Sequence, residues 1–265
     1  MTKVITFGNF KGGVGKTTAT AMFAYLLANQ NKKVLAIDFD PQANMTNFLF
    51  KSFNVTLDKG YTSLFESIKT ENLNKAIVPL SDTLEIVPSD IDLIAFQELL
   101  PKDEKKKHYL LDYVLDDIKN SYDYILIDVP PTISEFTNNA LVASDFTVII
   151  MQTEPDSLSG AINYKEYAEG MQAFNPPLEI AGILPYLKKK SSKIDEYILN
   201  ISLSDNLDIK DIVFNNHIYS RERVKRFRIN GITKQDHHDK NVFKMYQKVL
   251  NELLEKVNEK EYLKD

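Results

Sequence analysis

The chain has 265 residues, 43% hydrophobic and 26% charged, which suits a globular protein with a substantial core at the upper end of one domain. A net charge of −5 argues against a generally basic nucleic-acid binder and leaves only local patches for that role. Zero cysteines exclude disulfides, cysteine-ligated zinc and cysteine-held iron–sulfur clusters. The opening MTKVITF enters a strand pattern without a secretory signal, and no apolar run reaches membrane-span length, so a cytoplasmic location is expected.

Residues 4–7 predict a buried strand, and residues 19–28 the body of a helix that starts at Lys16. Between them lies KGGVGKTT, residues 11–18. Gly12, Gly13 and Gly15 lack a Cβ and reach backbone conformations closed to other residues, so the loop they form with Val14 can converge its N–H groups on phosphate oxygens. The helix start adds unpaired N–H groups and a positive dipole end. Lys16 brings a point charge to β- and γ-phosphates, and the Thr17 hydroxyl, followed by Thr18, stands where a magnesium ligand is needed. The ordinary GxxxxGK[ST] pattern would have glycine where Phe10 stands. Lys11 adds a second lysine at the loop mouth, more charge than one phosphate pocket needs.

Residues 33–37 predict a second buried strand, leading into Asp38, Phe39, Asp40 and Pro41. The carboxyl end of such a strand is where an open α/β sheet binds its ligand. Asp38 and Asp40 point the same way if the strand continues and diverge if Pro41 breaks it; Asp40 is the favoured site residue. Helices are expected at 43–50, at 61–69 with a Thr or Ser cap, and at 90–100, capped by Ser89 or Asp90 and closed by Pro101, with a strand at 84–87. The charged run 102–107 reads as a solvated helix start, and 109–118 carries apolar residues at helical spacing. Residues 122–128 (YDYILID) form an apolar strand ending in Asp128, the usual partner of a phosphate loop, holding magnesium directly or through water.

A helix closing over 138–143, a strand at 145–151, a helix from 157 to about 173, a strand at 180–184, a helix at 193–202 and a last strand at 212–214 follow. Short apolar strands alternating with helices predict one α/β domain, a mostly parallel twisted sheet flanked by helices on both faces. Residues 221–228 (RERVKRFR) hold five basic residues and one acidic residue. As a helix they place Arg221, Lys225 and Arg228 on one face, with Arg226 close by and Arg223 in the same run. A nucleic-acid or polyanion contact is expected there, with Lys188, Lys189 and Lys190 as weaker contributors. His237 and His238 are expected in a solvated loop. Residues 241–257 predict a core-packing helix rather than a membrane anchor, because their polar face mixes lysine, asparagine and glutamate.

KGGVGKTT, DFDPQAN and YDYILIDVPP, in this order and at these separations, resemble the deviant Walker-type P-loop ATPases of the ParA/MinD group. The resemblance covers nearly the whole chain, and the group does not require glycine at the position of Phe10. It implies ATP and Mg2+ as cofactors. Lys11 would be the signature lysine, reaching across an ATP-sandwiched homodimer to the partner's phosphates, and Lys16 would bind phosphate within its own chain. Thr17 would bind magnesium, Asp40 would position the hydrolytic water, Asp128 would hold magnesium through its water shell, and Asp38 would support the same site. The stretch 214–235 resembles the place where such proteins gather basic residues for non-specific DNA binding.

Within the group, the absence of cysteine argues against nitrogenase iron protein and the metal-cluster scaffold ATPases. DPQ after the second strand is ParA-like, and the tail suggests no stable membrane association. The early first strand leaves no room for an N-terminal helix-turn-helix extension, so residues 1–265 are expected to form a single ATPase domain. The implied function is a nucleoid-associated DNA partition ATPase, slow until stimulated by a ParB-like centromere-binding partner, that moves plasmid or chromosome cargo. A MinD-like membrane-associated positioning ATPase and a nucleotide-switch assembly module without DNA are the alternatives. Leu184, Pro185 and Tyr186 replace an asparagine-containing loop that many relatives have near the base, which leaves the adenine contacts unassigned.

Overall fold

Buried from both sides, parallel strands read as continuous apolar runs, and this chain's central strands are of that kind. The computed structural model describes residues 1–57, 60–189, 192–204 and 207–262. Lys190 therefore lies outside the described residues. Among these residues one sheet contains β1 (Lys3–Gly8), β2 (Val34–Asp38), β3 (Val78–Pro79), β4 (Leu84–Val87), β5 (Tyr124–Asp128), β6 (Phe146–Gln152), β7 (Glu179–Lys188) and β8 (Ile218–Tyr219). Their order is β3-β4-β2-β5-β1-β6-β7-β8. Each pair is parallel except β3 with β4, where the two-residue edge strand runs antiparallel. The expected fold class is therefore observed.

Successive side chains along a strand feed opposite faces. Ile5 and Phe7 of β1 join a core with α1 (Lys16–Asn29), α2 (Asn44–Phe53), α8 (Glu222–Asn230) and α9 (His237–Tyr262). Val4, Leu35 and Ile37 point the other way, toward α3 (Leu64–Lys69), α4 (Leu110–Leu115) and α5 (Glu135–Val142). Farther along that second face, α6 (Pro155–Met171) and α7 (Lys193–Ser202) cover β6 and β7. In α9, Val242, Tyr246, Val249, Leu250, Leu253 and Val257 are all buried, so this helix packs on the core as its periodicity predicts.

Three expectations change. Residues Ile91–Leu99 form a 3-10 helix, with Asp90 capping it. Leu93, Phe96 and Leu99 pack inward at intervals of three, the repeat of that tighter helix. The apolar run 212–214 is no full strand: Val213 makes one isolated bridge to Ile183, and the last strand is β8. Burial without extended pairing explains the run, since Val213 and Phe214 are core residues. His237 and His238 begin α9 instead of lying in a loop.

Candidate active site

Strands β2, β5 and β1 lie side by side, and their carboxyl ends deliver the site. Asp38 and Asp128 are register partners on β2 and β5, while Asp128 also faces Phe7 of β1. From β1 the chain runs into the glycine loop and then α1, so the loop backbone and both aspartates meet at the carboxyl end of the sheet's central strands. Gly13 and Gly15 have φ of +78° and +105°, the region that favours glycine. Gly15 caps α1 without a side chain, so the first N–H groups of the helix face the loop. Val14 is fully buried and anchors the loop to the core.

Contacts from distant parts of the chain hold this loop. Asn9, 1% exposed, donates from Nδ2 to the Ile150 carbonyl and accepts the Lys11 N–H on Oδ1, each at 2.8 Å. Gln152 donates to the Gly13 carbonyl at 3.1 Å. Beneath Gly15 lies the Tyr186 ring: a Cβ at that position would sit 2.3 Å from its Cε1. Tyr186 is itself buried and hydrogen-bonded through its hydroxyl to Tyr246 of α9. The Leu184, Pro185, Tyr186 departure thus lies within β7 and supports the phosphate loop from below. Phe10, in place of the usual glycine, packs its ring against Tyr164 and Tyr167 of α6, with centroids 5.0 and 5.3 Å away.

Lys16 is 6% exposed. Burial pushes its ammonium below the ordinary lysine value, opposed by the negative charges of Asp128 and Asp40. Asp38 is fully buried, and its Oδ2 accepts from both the N–H and hydroxyl of Thr46 at 2.8 Å. Burial lifts its carboxyl to about 6, while the Thr46 bonds and the Asp40 N–H favour the charged form and the Asp40 carboxylate charge disfavours it. Asp40 is 8% exposed and accepts the Gln42 N–H on Oδ1 at 3.0 Å. Asp38 is therefore oriented by α2, while Asp40 sits nearer the mouth.

Asp128 is different. It is fully buried, and neither carboxylate oxygen has a partner at hydrogen-bond geometry in the chain, although the Thr17 hydroxyl lies close enough to favour its charged form. Burial pushes it well above the usual carboxylate range; the Asp38 charge adds to this, whereas the Thr17 hydroxyl and Lys16 ammonium oppose it. Orphaned oxygens in such a place fit a hydrated divalent cation, which would take up the lone pairs that the protein leaves unused. Among the described residues no three His, Asp or Glu side chains form an all-protein cage.

The family model described as an AAA domain matches residues 2–180. A ParA family protein of Chlamydia pneumoniae is 35% identical over 187 residues, covering 68% of this chain and 70% of its own. The chromosome-partitioning ATPase Soj of Treponema pallidum is 33% identical over 203 residues, covering 75% and 77%. The chain belongs to the ParA family of P-loop ATPases. Among solved structures, a putative plasmid partition protein of Borrelia burgdorferi bound to AMPPNP superimposes with a TM-score of 0.81 at 28% identity, over 97% of this chain and 100% of that one.

On this ParA-family fold, Lys11 does not turn into its own phosphate pocket. Its Nζ lies 3.0 Å from Glu154 Oε2 and 3.9 Å from Asp156 Oδ2, at the start of α6. The basic segment is helical, as expected, with Arg221 as the N-cap of α8. Lys225, Arg226 and Arg228 are exposed, whereas Arg223 is turned inward to Asp236 and the buried Asp239. Pairing of β7 with β8 brings Lys188 beside Tyr219, so Lys188 and exposed Lys189 lie near the start of α8. A groove of about 400 Å³ there is lined by His217, Arg221, Lys244 and Lys248, among others. Burial and the nearby Lys188 charge push His217 below its ordinary value. Sequence reasoning missed Asn9, Thr46, Glu154, Lys244 and Lys248; only the i, i+4 spacing of the last two offered a signal.

Proposed function

We propose that this ParA-family chain is a magnesium-dependent DNA partition ATPase, in which ATP closes a homodimer that binds DNA without sequence preference and a ParB-like partner stimulates hydrolysis. The observation that carries the reading is the pairing of a P-loop and orphaned Asp128 with a second lysine, Lys11, directed outward at the rim. One chain's phosphate pocket does not use Lys11, so a facing chain's phosphates are its natural target.

In this reading Gly12, Gly13, Val14, Gly15 and Thr18 belong to the cradle around the phosphates. Lys16 bridges β- and γ-phosphates, its charge favoured by Asp128 and Asp40. Thr17 and Asp128 would hold magnesium, with Asp38 in support. The bound ion would supply charge neutralisation at the phosphates. Asp40, oriented by the Gln42 N–H, positions the attacking water.

Arg221, Lys225, Arg226 and Arg228, together with Lys188, Lys189, Lys244 and Lys248, form the DNA-facing side; Lys190 is a further candidate. Closing a dimer joins two such faces, and each phosphate contact adds a salt-sensitive increment to affinity. The experiment is a DNA shift assay with Mg2+ and AMPPNP at several salt concentrations. Nucleotide-dependent retardation is expected, weakened in Arg221→Ala/Lys225→Ala/Arg228→Ala with ATPase activity retained. Equal retardation by that variant at every salt concentration would refute the DNA face.

A further inference from the structure

We propose that Phe39 and Phe136 are positioning residues for Asp40: their rings, closed into a triangle by Phe96, hold the main chain that carries the Asp40 carboxylate against α5. The inference rests on the reading of Asp40 above as the group that orients the attacking water, and it names what keeps that group in place.

The two aspartates at the end of β2 are held in different ways. Asp38 is fixed through its side chain by Thr46, whose hydroxyl also accepts the Ser89 N–H at 3.0 Å. Asp40 is held locally: its carboxylate accepts the Gln42 N–H and its carbonyl accepts the Ala43 N–H, both within the same turn. Phe39, between the two, ties that turn to the rest of the sheet. Its N–H donates to the Asp128 carbonyl at 2.9 Å. Its ring is fully buried and meets Phe96 and Phe136 edge-on, with centroids 5.0 and 5.2 Å away, while those two rings stack on each other at 5.0 Å.

Phe39 thus grips the chain that leaves Asp128 at two points, the Asp128 carbonyl and Phe136 on α5. The start of α5 is itself anchored. His108 Nδ1 and Lys107 Nζ lie 2.8 and 3.3 Å from the Glu135 carboxylate, and Asn139 accepts the Leu111 N–H at 3.1 Å. The triangle therefore refers Asp40 to a fixed helix. All three rings lie in the core on the α3, α4 and α5 side of the sheet, whereas Val14, Tyr186 and Tyr246, which support the glycine loop, lie in the core on the other side. Removing a ring from the triangle frees Asp40 and leaves the phosphate cradle where it is. Such a shift is read in the rate, because reaction depends steeply on alignment of the attacking group.

The test measures phosphate release at saturating ATP and Mg2+, with AMPPNP affinity by calorimetry, for wild type, Phe39→Leu, Phe136→Leu, the two combined, and Asp40→Ala. Leu73→Ala, a cavity in the same core on the turn Leu73–Ala76, is the control. Phe136 is partly buried, so Phe136→Leu is the variant that decides if Phe39→Leu fails to fold. Phe136→Leu is expected to lower kcat roughly fivefold to fiftyfold while AMPPNP affinity stays within about twofold of wild type. The double variant is expected to fall no further than the worse single one, because both rings act through one contact. Leu73→Ala is expected to lower the urea midpoint and keep kcat. Normal turnover in Phe136→Leu, a loss of affinity equal to its loss of turnover, losses that multiply in the double variant, or an equal loss of turnover in Leu73→Ala refutes the positioning role, and an inactive Asp40→Ala leaves the reading of Asp40 standing. If Asp40→Ala turns over normally, that reading fails and the positioning role with it.

Discussion

Gly15→Ala tests whether the phosphate loop is set by what lies beneath it. Two costs can be separated. The backbone at Gly15 has φ of +105°, and an L-residue held there costs about 1–2 kcal/mol. The new methyl would also lie 2.3 and 2.6 Å from two atoms of the Tyr186 ring, far inside contact distance. That ring cannot swing away freely, because it is fully buried and tied to Tyr246. Forcing the extra carbon in costs about 1–3 kcal/mol by overpacking, for a total of about 2–5 kcal/mol. Urea unfolding followed by circular dichroism, without nucleotide, measures the loss as a lower midpoint at constant slope. In a Tyr186→Val background the steric part disappears, and Gly15→Ala is expected to cost only the backbone share of about 1–2 kcal/mol. A loss below about 1 kcal/mol in the wild-type background, or the same loss in both backgrounds, would refute the account.

Lys16→Ala is expected to weaken AMPPNP binding at least about tenfold by calorimetry, because a charged hydrogen-bond partner is lost. Asp40→Ala is expected to retain nucleotide affinity and lose turnover at least about a hundredfold; normal hydrolysis would remove its role in positioning water. Arg223→Ala is expected to destabilise the fold by about 1–3 kcal/mol, since it removes the cation beside the buried Asp239 and leaves that carboxylate only its Thr233 and Gln235 bonds on the other oxygen, whereas Lys225→Ala breaks only an exposed pair with Glu222 and costs about 0–0.5 kcal/mol. Equal unfolding midpoints for the two variants would show that Arg223 is not the internal tie described above. Asp195 is pushed up by burial, but bonds from Ser192, Thr153 and the Lys189 N–H outweigh this and hold it below its ordinary 3.8. A depressed folded-state value means stabilisation that is present above the unfolded value and lost as pH falls through the folded one. Asp195→Asn is therefore expected to melt below wild type at pH 7, with the gap closing only below about pH 4; a gap that widens on acidification would contradict this.

The phosphate loop and the strand leading to Asp128 were legible in the sequence because their chemistry is contiguous. KGGVGKTT carries glycines, lysine and threonine in eight successive positions, and strand and helix periodicity frame it. The supports were not legible because each is a tertiary contact. Asn9 bonds to Ile150, Lys11 to Glu154 and Gln152 to Gly13, all about 140 residues apart. Thr46 looked like an ordinary residue of a short helix until the fold placed it on Asp38. Arg223 shows the converse: charge density marked the whole run 221–228, yet packing turns this arginine inward to Asp236 and Asp239. At 212–214 hydrophobicity signalled burial, which is observed, but burial does not require a ladder, and the true last strand is only two residues long.

The two sides of the site differ in how their polar groups are satisfied, and that difference connects fold to chemistry. On the loop side the supporting side chains have their partners: Asn9 uses both ends of its amide, Gln152 holds Gly13, and Tyr186 fills the space beneath Gly15. On the aspartate side they are not. Asp38 has its Thr46 bonds, but Asp128 is buried beside it with both oxygens unpartnered. A buried carboxylate without partners costs stability, and Lys16 nearby offsets that cost only in part. A cation and phosphates entering here would meet a loop already held by these contacts and a charge that gains partners. In the function proposed above, the partnered half would fix where the phosphates sit, while the unsatisfied half would favour their arrival with a cation.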